Sequence, residues 1–130
     1  MKLTFFVGGR PAPQQRPIFH GGKFSYSPKS EFYHSIVAAA YRVRPTYPIT
    51  EAVKLTVRFC FLTPRCREGA IYNTARPDLD NLEKTVMDAL TVAKIWQDDS
   101  VVVVKMSCKA FRQEEGAEIT VETIKNIRDF

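Results

Sequence analysis

Carboxylates placed two residues apart are the first chemistry that this sequence offers. Asp78 and Asp80 flank Leu79 at the point where a helical pattern begins. If the backbone at Asp78 is still extended, alternation turns both carboxylates to one side and Leu79 to the core. Carboxylate oxygens that converge in this way suit a hard divalent cation. The pair Asp98-Asp99 follows this helix and could return a third carboxylate to it, provided that the next strand runs back beside the helix start.

The same carboxylates also have a purely structural interpretation. An aspartate at a helix start is most often a cap, which the free backbone amides and the helix dipole favour. Asp80, Lys84 and Asp88 follow one another at four-residue spacing, as in an ordinary solvated ion-pair ladder. The pair Asp98-Asp99 suits a turn. From spacing alone, caps and turns explain these residues at least as well as a metal site does.

Charge divides the chain into a basic and an acidic part. Residues 1–76 carry 12 Lys or Arg against 3 Glu, a balance of +9, whereas residues 77–130 carry 7 against 11 Asp or Glu, a balance of −4. A basic surface attracts a polyanion through counterion release, and clustered carboxylates serve a phosphate-handling enzyme only when a cation lies among them. The division is therefore compatible with a nuclease, although many soluble proteins are basic at one end.

The elements that must position these residues follow from hydrophobic periodicity. Alternation predicts strands, helical spacing predicts helices, and Gly21-Gly22 predicts a hairpin turn. The predicted order is a strand over residues 3–7, a hairpin over 18–25, a helix from a Ser27-Pro28 cap to Arg44, a strand over 53–61, a loop from Leu62 to Pro77, a helix from Asp80 to Ala93, and strands over 101–111 and 118–124. This order predicts a single α+β domain over residues 1–130, with two helices packed on a mixed β-sheet.

The bulk composition narrows the setting in which the protein works. The chain has 130 residues, of which 45% are hydrophobic, enough for one compact core. Its longest apolar stretches are far shorter than the roughly 20 residues that a membrane span needs. Cys60, Cys66 and Cys108 are spaced neither for a zinc site nor for a disulfide framework. We therefore expect a soluble cytoplasmic protein with reduced thiols.

The acidic segment resembles the signature of a known family. Asp78-Leu79-Asp80-Asn81-Leu82 with Lys84, then Asp88-Ala89-Leu90, Trp96 and Asp98-Asp99, resemble the motif of the RusA-like endodeoxyribonucleases, bacterial and prophage enzymes that resolve Holliday junctions. The match fixes residue types and their spacing across residues 78–99, which a chance helix cap would not reproduce. Weaker agreement in residues 9–13, 16–17 and 26–28 extends the resemblance over most of the chain, with a departure at Gln14-Gln15, where many relatives carry a lysine or glycine.

This resemblance implies a function and a set of site residues. It implies a RusA-like homodimer that binds a four-way DNA junction and nicks two opposed strands with Mg²⁺ or Mn²⁺, in DNA recombination and repair, without a membrane or a small-molecule cofactor. By motif position, Asp78, Asp80 and Asp99 would ligate the metal, and Lys84 would be an essential basic residue. Three anionic ligands leave a hexacoordinate Mg²⁺ open sites for water and a phosphate oxygen.

Basic residues of the first part of the chain are candidates for contacts with the DNA backbone. They are Arg10, Arg16, Lys23, Arg65, Arg67 and Arg76.

Two alternative functions stay open: a non-catalytic DNA-binding module of the same fold, and a nuclease for other branched or flap DNA. His20 and His34 have no partner at metal-ligand spacing. Three aromatic residues of the hairpin segment either insert into the junction or pack in the core or at the dimer interface: Phe19, Phe24 and Tyr26.

Overall fold

A computed structural model of the chain describes residues 1–14, 18–25, 30–65 and 69–126. The predicted order of elements is confirmed. The elements are β1 (Lys2–Gly8), β2 (Ile18–His20), β3 (Lys23–Ser25), α1 (Glu31–Val43), β4 (Val53–Leu62), α2 (Leu79–Val92), a short 3-10 helix (Asp99–Val101), β5 (Val102–Arg112) and β6 (Gly116–Thr123). The strands β2 and β3 form the predicted hairpin around Gly21-Gly22.

Four strands form one mixed sheet, as the sequence predicts for an α+β domain. Their order is β1-β6-β4-β5, so β1 and β5 lie at the edges. The strand β4 pairs parallel with β5 and antiparallel with β6, and β6 pairs antiparallel with β1. The apolar residues of β4 alternate in the expected way, and Val53, Leu55, Val57 and Phe59 are at most 2% exposed.

Both helices cover one face of this sheet. Helix α1 packs against α2 and β1, and α2 also lies against β5. The apolar stripe of α2 is fully buried at Leu82, Val86, Ala89 and Leu90, which join the buried side chains of β4 and β6 in one core. The opposite face of the sheet carries polar pairs such as Arg58 with Glu118, at 3.8 Å. The fold is thus a two-layer structure whose second sheet face is polar.

The backbones of β1 and β6 approach each other closely at one glycine. Gly116 starts β6 opposite Gly8 and has a φ of 155°. A Cβ at this position would overlap with the carbonyl oxygen of Val7 and with the ring of Phe6. Glycine therefore allows the two backbones to meet where the turn after β5 ends.

Two predicted helix starts are wrong in detail. Ser30, rather than Ser27, caps α1: its Oγ accepts a hydrogen bond of 3.1 Å from the amide of Tyr33. Ser27 and Pro28 lie outside the described residues. The cap position of α2 is Asp78, rather than Asp80. Both helices end close to the predicted residues, with Arg44 and Ala93 as the C-caps.

The strand β5 runs back along α2 and contacts it through polar groups. Ser107 Oγ donates a 2.6 Å hydrogen bond to Glu83, and Lys105 Nζ lies 3.6 Å from the same carboxylate. The loop before α2 closes on this strand as well, because Tyr72 forms an antiparallel bridge with Ala110. The strand therefore returns beside the start of α2. Among the described residues, neither helix has the length and apolar character needed to cross a lipid bilayer.

Candidate active site

The two clustered aspartates lie at the first turn of α2. The backbone of Asp78 is extended, with φ −72° and ψ 141°, whereas Leu79 and Asp80 already belong to the helix. Asp78 occupies the cap position but makes no side-chain capping hydrogen bond, and Asp80 follows in the first turn. Both side chains are exposed. These carboxylates are therefore free to bind an external group.

The predicted ion-pair ladder along α2 does not form. Within the described chain, the acidic partners in ion pairs are Glu115, Glu118 and Glu83. Lys84 follows Asp80 by one helical turn and is exposed, but no ion pair joins it to Asp80 or Asp88. The helix N-terminus carries a partial positive charge that stabilises nearby anions. Lys84 and this dipole offset part of the negative charge that Asp78 and Asp80 place at the helix start, so a phosphate would need a bound cation there.

A cleft of about 410 Å³ opens beside Asp78. Its lining residues come from two segments, Arg10 to Pro13 on one wall and Arg76 to Asp78 with Asn81 on the other. Arg10 and Arg76 also line an adjoining depression of about 270 Å³ next to Phe61 and Phe111. Two of the predicted DNA-binding arginines thus lie on either side of a groove that leads to the carboxylate pair.

Buried and half-buried hydrogen bonds fix the first wall of this cleft. The hydroxyl of Thr85, which is 1% exposed, accepts a 2.9 Å bond from the amide of Gln14 and donates one of the same length to the carbonyl of Asn81. Ser30 Oγ donates to the carbonyl of Ala12 at 3.4 Å. The segment that carries Arg10 is therefore tied to both helices.

Arg10 itself is held loosely above the groove. Its guanidinium lies 5.8 Å from the ring centroid of Phe61 and 3.9 Å from Glu115. The side chain is 68% exposed, so this ion pair is weak and readily exchanged for a phosphate. Arg10 can therefore contact a nucleic-acid backbone without the loss of a buried interaction.

Asp99 lies at the other end of α2. The helix is 14 residues long, so its two ends are separated by about 20 Å at 1.5 Å per residue. Asp98 and Asp99 line a separate depression of about 370 Å³ with Tyr33 and Asp88. There, burial raises the pKa of the Tyr33 phenol, and the charge of Asp88 raises it further. The structure does not bring Asp99 to Asp78 and Asp80 within one chain.

The return of β5 explains this separation. Asp99 immediately precedes the strand, so it lies at the end of α2 from which β5 starts. The residue that β5 carries to the helix start is Lys109, whose Nζ donates to the carbonyl of Pro77 at 2.8 Å. In the described part of the chain, no group of three or more His, Cys, Asp or Glu side chains is arranged to hold a metal ion.

Two of the remaining predicted basic residues belong to the described part of the chain. Lys23 lies at the exposed tip of the hairpin, and Arg65 is exposed after β4. Arg16 and Arg67 lie outside the described residues, so the structure says nothing of their positions. On the hairpin, Phe19 is 62% exposed, which favours the surface interpretation of that aromatic residue over the core interpretation.

Sequence reasoning missed a group of polar residues that hold the loop before α2. Lys109 Nζ donates to the carbonyls of Ala75 and Pro77, and Asn73, which is 7% exposed, accepts from the amide of Ala75. One signal was available in the sequence. Lys105, Ser107 and Lys109 alternate along β5 on the face that packs against the helices, where an apolar series is normal.

The chain is similar to known proteins over most of its length. A sequence model of the family described as Endodeoxyribonuclease RusA matches residues 8–122. A Bacillus subtilis (strain 168) protein named Uncharacterized protein YqaN is 30% identical over 138 residues, which cover 94% of this chain and 96% of the relative. The crossover junction endodeoxyribonuclease of Lactococcus phage r1t is 31% identical over 72 residues, 55% of each chain. The corresponding enzyme of Escherichia coli O139:H28 is 43% identical over 51 residues, 39% of this chain and 34% of the relative.

Proposed function

Because this chain belongs to the RusA endodeoxyribonuclease family, we propose that it is a divalent-metal-dependent endonuclease that resolves four-way DNA junctions by nicking two opposed strands, in DNA recombination and repair. In this proposal residues 1–130 work as one domain. The observation that carries it is the pair of exposed aspartates at the start of α2, beside a cleft lined by Arg10 and Arg76. This arrangement places anionic metal ligands next to cationic phosphate contacts.

The proposed metal is Mg²⁺, with Mn²⁺ as a substitute. Asp78 and Asp80 fit this role because their oxygens are hard donors and no capping bond or ion pair occupies them in the described chain. A divalent ion bound there would polarise the scissile phosphodiester and increase the acidity of an attacking water. Lys84, one turn further along the same helix face, would hold the phosphate or stabilise its developing negative charge.

The third ligand, Asp99, reaches this site only from a second copy of the chain. Within its own chain Asp99 follows the C-terminal end of α2, a helix about 20 Å long, so it lies too far from Asp78 and Asp80 for coordination at the usual 2.0 to 2.1 Å of Mg²⁺. We therefore propose a homodimer in which Asp99 of one protomer completes the carboxylate cluster of the other. A two-fold axis then gives two equivalent sites, which suits paired nicking of opposed strands.

The DNA backbone would follow the groove on both sides of the carboxylates. Arg10 and Arg76 make the inner contacts, and Lys23 and Arg65 are placed for outer ones. Arg16 and Arg67 belong to the same proposed set. A groove lined by arginines that contact phosphate provides affinity and orientation but no sequence readout.

Cleavage of a synthetic four-way junction tests the function directly. We expect paired nicks in the presence of Mg²⁺ or Mn²⁺, with a linear duplex and a flap of the same sequences as parallel substrates. Binding without any product would support the non-catalytic module instead. Faster cleavage of the flap than of the junction would favour a nuclease for other branched DNA.

Mixing two inactive variants tests the shared site. When Asp80→Asn and Asp99→Asn protomers are refolded together, each mixed dimer would have one intact site. The mixture would then contain about a quarter of the active sites of the wild-type protein, so nicking of a single strand should be recovered. Each variant alone should remain inactive. If the mixture also remains inactive although mixed dimers form, the site lies within one protomer. If Asp99→Asn alone cleaves the junction, the site does not include Asp99.

A further inference from the structure

We propose that Lys109 is a positioning residue for the metal ligand Asp78, an assignment that rests on the proposed function. Its ammonium group donates hydrogen bonds of 2.6 Å to the carbonyl of Ala75 and 2.8 Å to the carbonyl of Pro77. Both carbonyls belong to the loop that enters α2 directly before Asp78. Lys109 thus acts on the metal site through the main chain.

The bond to Pro77 fixes one of the two peptide planes that bracket Asp78. The carbonyl oxygen of Pro77 and the amide nitrogen of Asp78 share a planar unit, so a bond to this oxygen sets the orientation of the plane. The second plane is held because the carbonyl of Asp78 accepts the first helical bond of α2, 3.2 Å from the amide of Leu82. With both planes fixed, only the side-chain torsions of Asp78 remain free.

The anchor of Lys109 is rigid because its own backbone, although it belongs to an edge strand, is bonded on both sides. Lys109 pairs with Phe59 of β4, which is 0% exposed. The carbonyl of Lys109 also accepts a 3.0 Å bond from the amide of Asn73, and the Asn73 side chain accepts one of the same length from the amide of Ala75. One residue of the sheet therefore holds both ends of the segment from Asn73 to Pro77.

A second lysine of the same strand offers a matched comparison. Lys105 lies on the same face of β5, pairs with Leu55, and is 47% exposed. Its ammonium lies 3.6 Å from Glu83, a carboxylate that the proposed reaction does not use. Removal of either lysine deletes one positive charge from the same strand face, but only Lys109 holds the main chain next to a metal ligand.

The test measures binding of Mn²⁺ alone to the full-length protein by titration calorimetry, without DNA. Loss of a group that orients a metal ligand typically lowers affinity about tenfold or more, so Lys109→Met should raise the Mn²⁺ dissociation constant by about that factor. Lys109→Arg should stay within about threefold of wild type, because the guanidinium fork can reach both carbonyls. Lys105→Met should leave the dissociation constant unchanged within about twofold.

Asp78→Asn separates failure of this inference from failure of the proposed function. If Asp78→Asn binds Mn²⁺ as tightly as wild type, the proposed metal site itself is wrong. If Asp78→Asn loses the metal but Lys109→Met keeps wild-type affinity, or Lys105→Met weakens binding equally, the role of Lys109 is overturned alone. Should Lys109→Met fail to fold, Lys109→Gln, which retains donors for one carbonyl, is judged by the same two comparisons.

Discussion

The two ends of α2 use polar groups in opposite ways. At the C-terminal end every connection is internal: the amides of Lys94 and Ile95 bond to the carbonyls of Thr91 and Leu90, and Trp96, 0% exposed, donates its indole N–H to Thr91 at 2.7 Å. At the N-terminal end Asp78 and Asp80 have no such partners in the described chain. The comparison teaches that the last turn of α2 supports the fold and holds the segment that leads to Asp99, whereas the first turn is kept available for a ligand.

The largest expected effect is the loss of cleavage in Asp80→Asn. Removal of one anionic metal ligand should slow junction cleavage by about a thousandfold or more, equivalent to about 4 kcal/mol of activation free energy. The melting temperature should not change, and junction binding should persist or tighten because a negative charge near the phosphates is gone. Single-turnover kinetics measures the cleavage rate, and a gel-shift titration measures junction binding.

Glu118→Gln, on the polar face of the sheet, is the control. If Asp80→Asn cleaves the junction at the rate of this control, Asp80 does not belong to the site.

The buried end of the helix should respond in stability rather than in activity. Trp96→Phe removes both the indole N–H bond to Thr91 and part of a fully buried side chain. We expect it to lower the free energy of unfolding by about 2 kcal/mol, measured by urea denaturation. Tyr47→Phe, at a position 81% exposed, should have no measurable effect. If Trp96→Phe keeps wild-type stability but cleaves the junction far more slowly, the C-terminal end of α2 serves the reaction rather than the fold.

A smaller effect is expected for the arginines of the cleft. Arg10→Ala and Arg76→Ala should each weaken junction binding by about tenfold at moderate salt and reduce the slope of log affinity against log salt by about one. Arg42→Ala removes an exposed arginine of α1 that does not line the cleft, so it serves as the control. Fluorescence anisotropy at a series of salt concentrations gives both values. Equal slopes for all four proteins would mean that the cleft is not the DNA path.

The smallest effect is a gain of stability at Lys94. This residue follows the C-cap of α2 and has a φ of 68°, a left-handed conformation that a side chain disfavours. Lys94→Gly should raise the free energy of unfolding by about 0.5 to 1 kcal/mol without any change in cleavage. Lys94→Ala, which keeps the Cβ, separates this backbone effect from the loss of the charge. If both variants gain equally, the strain at Lys94 is not the cause.

Periodicity predicted the order of the elements because each apolar face is a local pattern. The strict alternation of Val53 to Phe61 defined β4, and the stripe from Leu82 to Leu90 defined α2. The start of α1 was wrong because Ser27 and Ser30 are both good capping residues. Only the fold adds the contact of Ser30 Oγ with the carbonyl of Ala12. The local sequence cannot decide between two capping residues when the difference between them is a hydrogen bond to a residue far away in the chain.

The candidate site was predictable only as far as its local part. The spacing of Asp78 and Asp80 placed them together at one helix start, and the structure adds that the backbone at Asp78 is extended. The distance to Asp99 could not be seen, because it depends on the direction in which β5 leaves α2. The pairing of Tyr72 with Ala110 and the bonds of Lys109 are equally non-local. Such contacts follow from the tertiary fold rather than from periodicity.

The buried hydroxyl of Thr85 has a mechanical consequence for the cleft. It bonds to Gln14, which continues the Arg10 wall, and to Asn81, which lines the aspartate wall. A rotation of α2 would therefore carry both walls in the same direction, and the width of the groove would change little. The spacing between the main chain of the Arg10 wall and the main chain at Asp78 is then set by the interior of the protein, and the exposed side chains of Arg10 and Asp78 adjust to a phosphate within that fixed spacing.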